Sequence, residues 1–243
     1  MDMKIGIEVV GGRLKIGGEF DDSGDLREFN REFKLAATPK RGIESDSLNY
    51  EVLANAVLKI KDVPGIVCEI GTRRGGSLKV IVDNLIKNED FNRNIVCLDP
   101  YGNIDYFMGE KETDRPLKLD YTNTMRNQAM SAIYEYVEEK PVNVVFMCLE
   151  DTEFFKRYTD GVPFYNEFKT VEEKYALVFF DGPHTAEALD TELAFFDPRS
   201  AVGTVWVFDD TELYDHDSVE KQLFSLGWEL IEQTPRKSSY VKK

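Results

Sequence analysis

Val67-Cys68-Glu69-Ile70-Gly71-Thr72-Arg73-Arg74-Gly75-Gly76-Ser77, followed by Ile95-Val96-Cys97-Leu98-Asp99, is the stretch on which the fold turns. An apolar run ends in an acid, and a glycine-rich bend leads into a segment with Leu78, Ile81, Val82 and Leu85 at helical spacing. A second apolar run then ends in another acid. Strand, bend, helix, strand is the opening of a doubly wound α/β sheet, in which ligands lie outside the carboxyl ends of the strands. Small residues in the bend let the backbone approach a ligand closely, and an acid after the second strand can accept hydrogen bonds from both ribose hydroxyls. The expected nucleotide contacts are therefore Gly71, Thr72, Arg73, Gly75 and Ser77 in the bend and Asp99 on the ribose.

What the bend lacks narrows the nucleotide. A phosphate-cradling loop carries lysine after its last glycine, but Ser77 follows Gly76 here, which disfavours ATP and GTP. The dinucleotide fingerprint is G-x-G-x-x-G; this bend reads G-x-x-x-G-G, and Glu69 would face a pyrophosphate unfavourably. Glu69 suits a cationic ligand instead. S-adenosylmethionine offers an α-ammonium to such an acid, and a carboxylate to backbone N–H groups or to Arg73 and Arg74. At these residues the chain resembles motif I of the class I S-adenosylmethionine-dependent methyltransferases, with Asp99 in the place of their ribose-binding acid.

A chain of 243 residues can bury one substantial core, so one domain with embellishments is expected. The net charge of -15 argues against a nucleic-acid partner, because phosphate binding needs a basic surface. Arg236-Lys237 and Lys242-Lys243 read as a solvated basic tail. No apolar run approaches the roughly 20 residues of a membrane span, and Met1-Asp2-Met3-Lys4 lacks the shape of a signal peptide. The expectation is a cytoplasmic protein without a membrane partner. Cys68, Cys97 and Cys148 lie in or at the ends of apolar runs and read as reduced core thiols.

Along the chain, residues 4–20 alternate around Gly11-Gly12 and read as a β-hairpin, part of an extension assigned to 1–47 ahead of a domain at 48–243. Helices are expected over 48–60, 77–87, 123–138, 186–196 and 219–226. Short continuous apolar runs at 66–70, 95–98, 142–148, 176–180 and 204–208 have the pattern of parallel strands covered on both faces, and 228–233 with 239–242 closes the chain as a hairpin. Residues 101–140 form a long insertion after the second strand, with Tyr101, Tyr106, Phe107 and Tyr121 able either to wall a substrate pocket or to pack the insertion down. The hairpin or the insertion offers a contact for a homodimer. The family resemblance implies a Rossmann-like, doubly wound seven-stranded sheet of order 3-2-1-4-5-7-6 with strand 7 antiparallel.

The fourth strand runs into Asp181-Gly182-Pro183-His184 and the fifth into Asp209-Asp210, all at the sheet edge that carries Glu69 and Asp99. Carboxylates converging there repel one another unless a cation lies between them, and Mg²⁺ or another hard divalent ion fits oxygen donors of this kind. Asp181 and Asp209, 28 positions apart, leave room for one helix and a returning strand. The pattern is similar to that of the metal-dependent O-methyltransferases, the macrocin-type sugar enzymes and the family-24 group more than catechol O-methyltransferase. That resemblance implies a metal held by Asp181, Asp209 and Asp210, and adenine contacts from Asp151 and Thr152 after the third strand. It also places His184 where catechol-type enzymes have a lysine base, and imidazole can take a hydroxyl proton near neutral pH. The implied reaction is in-line methyl transfer from S-adenosylmethionine to a hydroxyl of a small molecule, with a sugar or glycoside favoured.

Other readings stay open from the residues alone. Asp209-Asp210 can cap the following turn, His184 can be a helix-start residue, and Glu150, Asp151 and Glu153 can form a solvated helix face. His216 reads as a surface-loop histidine. The rival functions are a metal-independent methyltransferase of the same fold, a non-catalytic cofactor-binding module, and a nicotinamide-dependent dehydrogenase.

Overall fold

The structure, a computed structural model, describes residues 42–43, 45, 47–102 and 121–243, together with the backbone of five short strands within residues 6–34. The chain divides into two compact units, Met1–Arg41 and Gly42–Lys243. In the first, β1 (Gly6–Val10) pairs antiparallel with β2 (Arg13–Gly17), with Val10 opposite Arg13 across the two-residue link. The other pairs are β3 (Glu19–Phe20) with β4 (Leu26–Arg27), and β5 (Arg31–Lys34) with β2.

The second unit begins with α1 (Tyr50–Lys59), β6 (Ile66–Ile70), α2 (Gly76–Lys87) and β7 (Asn94–Leu98). Next come α3 (Asn123–Val137), β8 (Asn143–Met147), α4 (Asp151–Arg157), β9 (Val162–Tyr165), β10 (Lys169–Glu172) and β11 (Tyr175–Phe180). The chain ends with α5 (Ala186–Phe196), a 3₁₀ turn at Asp197–Arg199, β12 (Ser200–Phe208), α6 (His216–Ser225), β13 (Trp228–Gln233) and β14 (Ser238–Lys242). Seven of these strands form one sheet in the order β13-β14-β12-β11-β6-β7-β8, with β14 antiparallel to both neighbours and the strands from β12 to β8 parallel. Counted along the chain without the β9–β10 hairpin, that is 3-2-1-4-5-7-6 with strand 7 antiparallel, the expected Rossmann-like sheet.

Why these runs are continuous rather than alternating follows from the two cores they separate. Cys68, Ile70, Val96, Leu98, Val178, Phe180, Trp206 and Phe208 face one cluster, with Phe154, Leu189, Leu193 and Val219 of α4, α5 and α6. Their neighbours Val67, Ile95, Cys97, Leu177, Phe179, Val205 and Val207 face the other, with residues of α1, α2 and α3 such as Leu53, Ile81 and Ile133. Successive side chains of a strand point to opposite faces, so a sheet sandwiched by helices needs apolar residues at every position. Burial of each strand on two faces is what makes the stretch legible.

Three expectations are corrected. Cys148 is exposed and not a core thiol, because it follows the edge strand β8. His216 is buried at the start of α6: its Nδ1 lies 3.1 Å from the Tyr214 hydroxyl, and its Nε2 lies 3.0 Å from the Tyr240 hydroxyl and 2.8 Å from Ser238 Oγ. Nor is the basic tail solvated as a whole. Lys237 is fully buried, and Lys242 is ion-paired to Asp197 at 2.6 Å. Tyr101 and Tyr121, both within the stretch 101–140, pack with Met125 and Ala129 of α3; Tyr106 and Phe107 lie outside the described residues. Among the described residues no helix is long and apolar enough to cross a membrane.

Candidate active site

Backbone hydrogen bonds between strand ends place the acids side by side. Gly71 N–H donates to the Leu98 carbonyl at 2.8 Å, Asp181 N–H to Ile70 at 3.0 Å, and Asp209 N–H to Phe180 at 2.9 Å. Each bond extends the sheet by one residue, so the first residue after each strand is fixed at the same edge. Gly71 is required there: its φ is +88°, and a Cβ would lie 1.8 Å from the Asp181 carbonyl oxygen. Gly71→Ala is expected to push the two strand ends apart, lowering the thermal midpoint and nucleotide affinity together. Calorimetry and a melting curve check this.

Within the bend, Glu69 is buried on the α2 side and accepts a hydrogen bond of 2.5 Å from Ser77 Oγ. Thr72 is likewise buried, and Gly75 turns at φ +84° where a Cβ would meet Ile133 of α3. Asp99 accepts N–H bonds from Arg73 at 2.8 Å and Tyr101 at 3.0 Å, and the Tyr101 hydroxyl donates to the Arg73 carbonyl at 2.7 Å. Arg73 and Tyr101 adopt left-handed φ values of 45° and 49°, conformations that bulky side chains seldom take and that the carboxylate anchors. Burial pushes the Asp99 carboxyl up to about 6, against the pull of the two N–H bonds and the Arg73 charge.

A cavity of about 310 Å³ opens beside these residues, lined by Gly71, Asp99, Asp151, Thr152, Gly182 and Pro183 among others. Asp151 and Thr152 begin α4, so the structure brings them to the same cavity as Asp99. Asp181 and His184, which flank Gly182-Pro183 in the chain, converge with Asp210 in an acidic group. His184 Nε2 is 3.9 Å from Asp181 Oδ1 and 3.6 Å from Asp210 Oδ2, and one donor atom from each of the three residues lies within 4.8 Å of the others. Two carboxylates and an imidazole at that separation fit a divalent cation. Burial holds the His184 imidazole below its ordinary pKa, against the charges of Asp210 and Asp209, and its ring lies parallel to Tyr214.

Asp209 stands apart from this group. Its carboxylate accepts from Lys237 Nζ at 2.5 Å and from Ser47 Oγ at 3.0 Å, while Lys237 also donates to Ser47 at 2.6 Å. Asp210, at a left-handed φ of 48°, is bound by the Arg236 guanidinium, whose Nε also lies 3.0 Å from Glu212. Arg236 and Lys237 come from the turn between β13 and β14, which Thr234 closes by donating its N–H to the Lys237 carbonyl at 2.7 Å. Antiparallel return of β14 alongside β12 delivers these two cations to the end of β12. Sequence reasoning placed them in solvent; the signal available was the match of a basic pair in the last turn to an acidic pair after the fifth strand.

The family described as "Methyltransferase domain" matches residues 68–211, more than half of the chain and the whole span from the glycine bend to the acidic pair. Solved structures of similar fold include the O-methyltransferase NovP, at 19% identity and a TM-score of 0.57 over 80% of this chain and 79% of that one. Another is the calicheamicin methyltransferase CalS11, at 17% identity and 0.51 over 79% and 78%. A third is the O-methyltransferase TomG from Streptomyces achromogenes, determined with S-adenosylmethionine, at 12% and 0.50 over 83% and 82%. No curated protein sequence matches the chain.

Proposed function

Since the chain belongs to the methyltransferase domain family and so is an S-adenosylmethionine-dependent methyltransferase, we propose that it methylates a hydroxyl of a small molecule, a sugar or glycoside, at a site assisted by a divalent metal. The observation that carries this reading is the turn Asp181-Gly182-Pro183-His184. Its middle lines the nucleotide cavity, and its ends meet Asp210. A methyl donor in the cavity and an acceptor at the acidic group are then separated by one turn of chain.

Asp99 binds the ribose hydroxyls, Asp151 and Thr152 the adenine, and the bend Gly71–Ser77 the methionine end, with the Glu69–Ser77 pair beneath it. Asp181 and Asp210 would hold the cation, Mg²⁺ by preference for oxygen donors. When bound, the ion supplies Lewis acidity that eases ionisation of the acceptor hydroxyl. His184, buried and neutral, takes the hydroxyl proton at Nε2, the nitrogen that faces Asp181 and Asp210. Arg236 holds Asp210 in place, and Asp209 serves as the buried counter-ion of Lys237. The acceptor oxygen displaces the thioether from the donor methyl, and charge is neutralised as the bond forms, so exclusion of water favours the step.

His184→Ala should lower turnover by about 10²- to 10⁴-fold while leaving affinity for S-adenosylhomocysteine and for Mn²⁺ unchanged. Because His184 belongs to the converging donor group, a second reading makes it a metal ligand; loss of Mn²⁺ affinity in the same variant selects that reading. The function as a whole is tested by transfer of labelled methyl from S-adenosylmethionine to a panel of sugars, glycosides and phenols. Transfer to oxygen is expected, and a panel left unlabelled in the presence of Mg²⁺, with the donor bound, counts against it.

Asp99 also gives the cofactor site a pH dependence. The carboxylate accepts the ribose hydroxyls, and with its pKa raised to about 6 it takes up a proton well above the ordinary carboxylate range. Affinity for S-adenosylhomocysteine is therefore full above that pH and declines as pH falls through it. Calorimetry across the range should show the decline in the wild type and its absence in Asp99→Asn, whose affinity is low throughout.

A further inference from the structure

His216 is buried at the start of α6 and has no part in the chemistry above. Its hydrogen bonds run one way. The Tyr240 hydroxyl donates to Oε1 of the half-buried Glu220, one turn further along α6, at 3.0 Å. Toward His216 Nε2, also 3.0 Å away, Tyr240 is then left as an acceptor, and Ser238 Oγ lies 2.8 Å from the same nitrogen. Burial holds the His216 imidazole below its ordinary pKa, against the charges of Glu220 and Asp217, so the ring is neutral and has one N–H. With that proton on Nε2, Nδ1 is bare, and the Tyr214 hydroxyl 3.1 Å from it is the donor.

Tyr214, with 1% of its surface exposed, carries this anchor to the acidic group. Its ring lies parallel to that of His184, with 7° between the planes and 6.4 Å between the centroids, an offset stack. The two acids that face His184 Nε2 stand at 3.6 and 3.9 Å, beyond hydrogen-bond length, so neither fixes the plane of the imidazole. Rotation out of that plane would carry Nε2 away from Asp181 and Asp210. We infer that Tyr214 is a positioning residue for His184: tethered through its hydroxyl to His216, its ring holds the imidazole in the plane that presents Nε2 to the acceptor hydroxyl. This rests on the reading that His184 takes the acceptor proton. A base works only within hydrogen-bond reach of the proton it removes, and misplacement by about 1 Å costs about 10²-fold.

The chain has two histidines, so nitrogen NMR of the imidazoles resolves both in the full protein with S-adenosylhomocysteine bound. His216 should show the neutral tautomer protonated at Nε2, and a proton on Nδ1 reverses the Tyr214 bond and overturns the tether. His184 should give one sharp set of signals in the wild type and a broadened or doubled set in Tyr214→Leu; an unchanged set in the folded variant overturns the inference. Turnover is read as labelled methyl transferred to the acceptor found in the panel above. Tyr214→Leu and His216→Phe should each lower kcat by about 10- to 10²-fold with KM and affinity for S-adenosylhomocysteine little changed. His216→Asn, which keeps an acceptor near the position of Nδ1, should recover most of that loss. Tyr214→Phe removes the hydroxyl alone and gives the same comparison if the leucine variant does not fold. In a His184→Ala background Tyr214→Leu should cost nothing further, because an effect exerted through His184 disappears with it. An equal loss in both backgrounds makes Tyr214 merely structural and overturns the inference. Wild-type turnover in His184→Ala instead overturns the base reading beneath it, so that one variant tells the two failures apart.

Discussion

Asp209→Ala and Lys237→Met each destabilise the folded protein by about 3–5 kcal/mol, the cost of leaving one member of a buried ion pair alone. The pair is enclosed: Lys237 and Asp209 are both buried, and Ser47 bonds to each of them. Lys237 Nζ also lies 5.1 Å from the centre of the Tyr50 ring, so either charge loses its solvent as well as its partner. For a domain of this size the loss corresponds to a fall in thermal midpoint on the order of 10 °C. A double variant, Asp209→Leu with Lys237→Met, should recover most of it, since well-packed apolar replacements of buried pairs are often neutral. Melting curves of the three proteins decide the matter, and a single variant as stable as the wild type would place the pair outside the folding core.

Asp210→Asn shows the opposite profile. The amide keeps an acceptor for Arg236 and changes little volume, so the midpoint holds, but one of the carboxylates facing His184 is gone. Turnover should fall by about 10³-fold or more, in line with the loss of a metal ligand or an acid–base partner, with affinity for S-adenosylhomocysteine nearly intact. Under the proposal, the adjacent acids thus separate into a structural one and a functional one. Asp210 adopts a left-handed φ, and its carboxylate lies 3.6 Å from His184 Nε2. Single-turnover assays and calorimetry on Asp209→Ala and Asp210→Asn distinguish the roles.

The distribution of these roles explains what could be read in advance. Strands such as Ile66–Ile70 and Tyr175–Phe180 are buried at every position, so their apolar runs mark them unambiguously. The acid or glycine that ends each run must then emerge at one edge, which placed Asp99, Asp181, Asp209 and the bend together. By contrast, β9 contains Pro163 and pairs only with β10, whose side chains are mostly exposed, and neither strand carries a periodic apolar signal. The assignment of Lys237 to Asp209 and Arg236 to Asp210 depends on the register of β14 against β12. Charge counting along the chain cannot supply that register, and so the basic pair read as solvated. His216 was misread for the same reason, because its partners Tyr240 and Ser238 lie more than twenty residues away.

The most direct test of the account is Mn²⁺ binding followed by electron paramagnetic resonance in the presence of S-adenosylhomocysteine, which needs no knowledge of the acceptor. The wild type should take up a single tightly held ion, and Asp181→Asn and Asp210→Asn should lose it while remaining folded. A folded wild type that binds no Mn²⁺ beside the cofactor, or uptake unchanged in both variants, would contradict the assignment of Asp181 and Asp210 to a divalent cation.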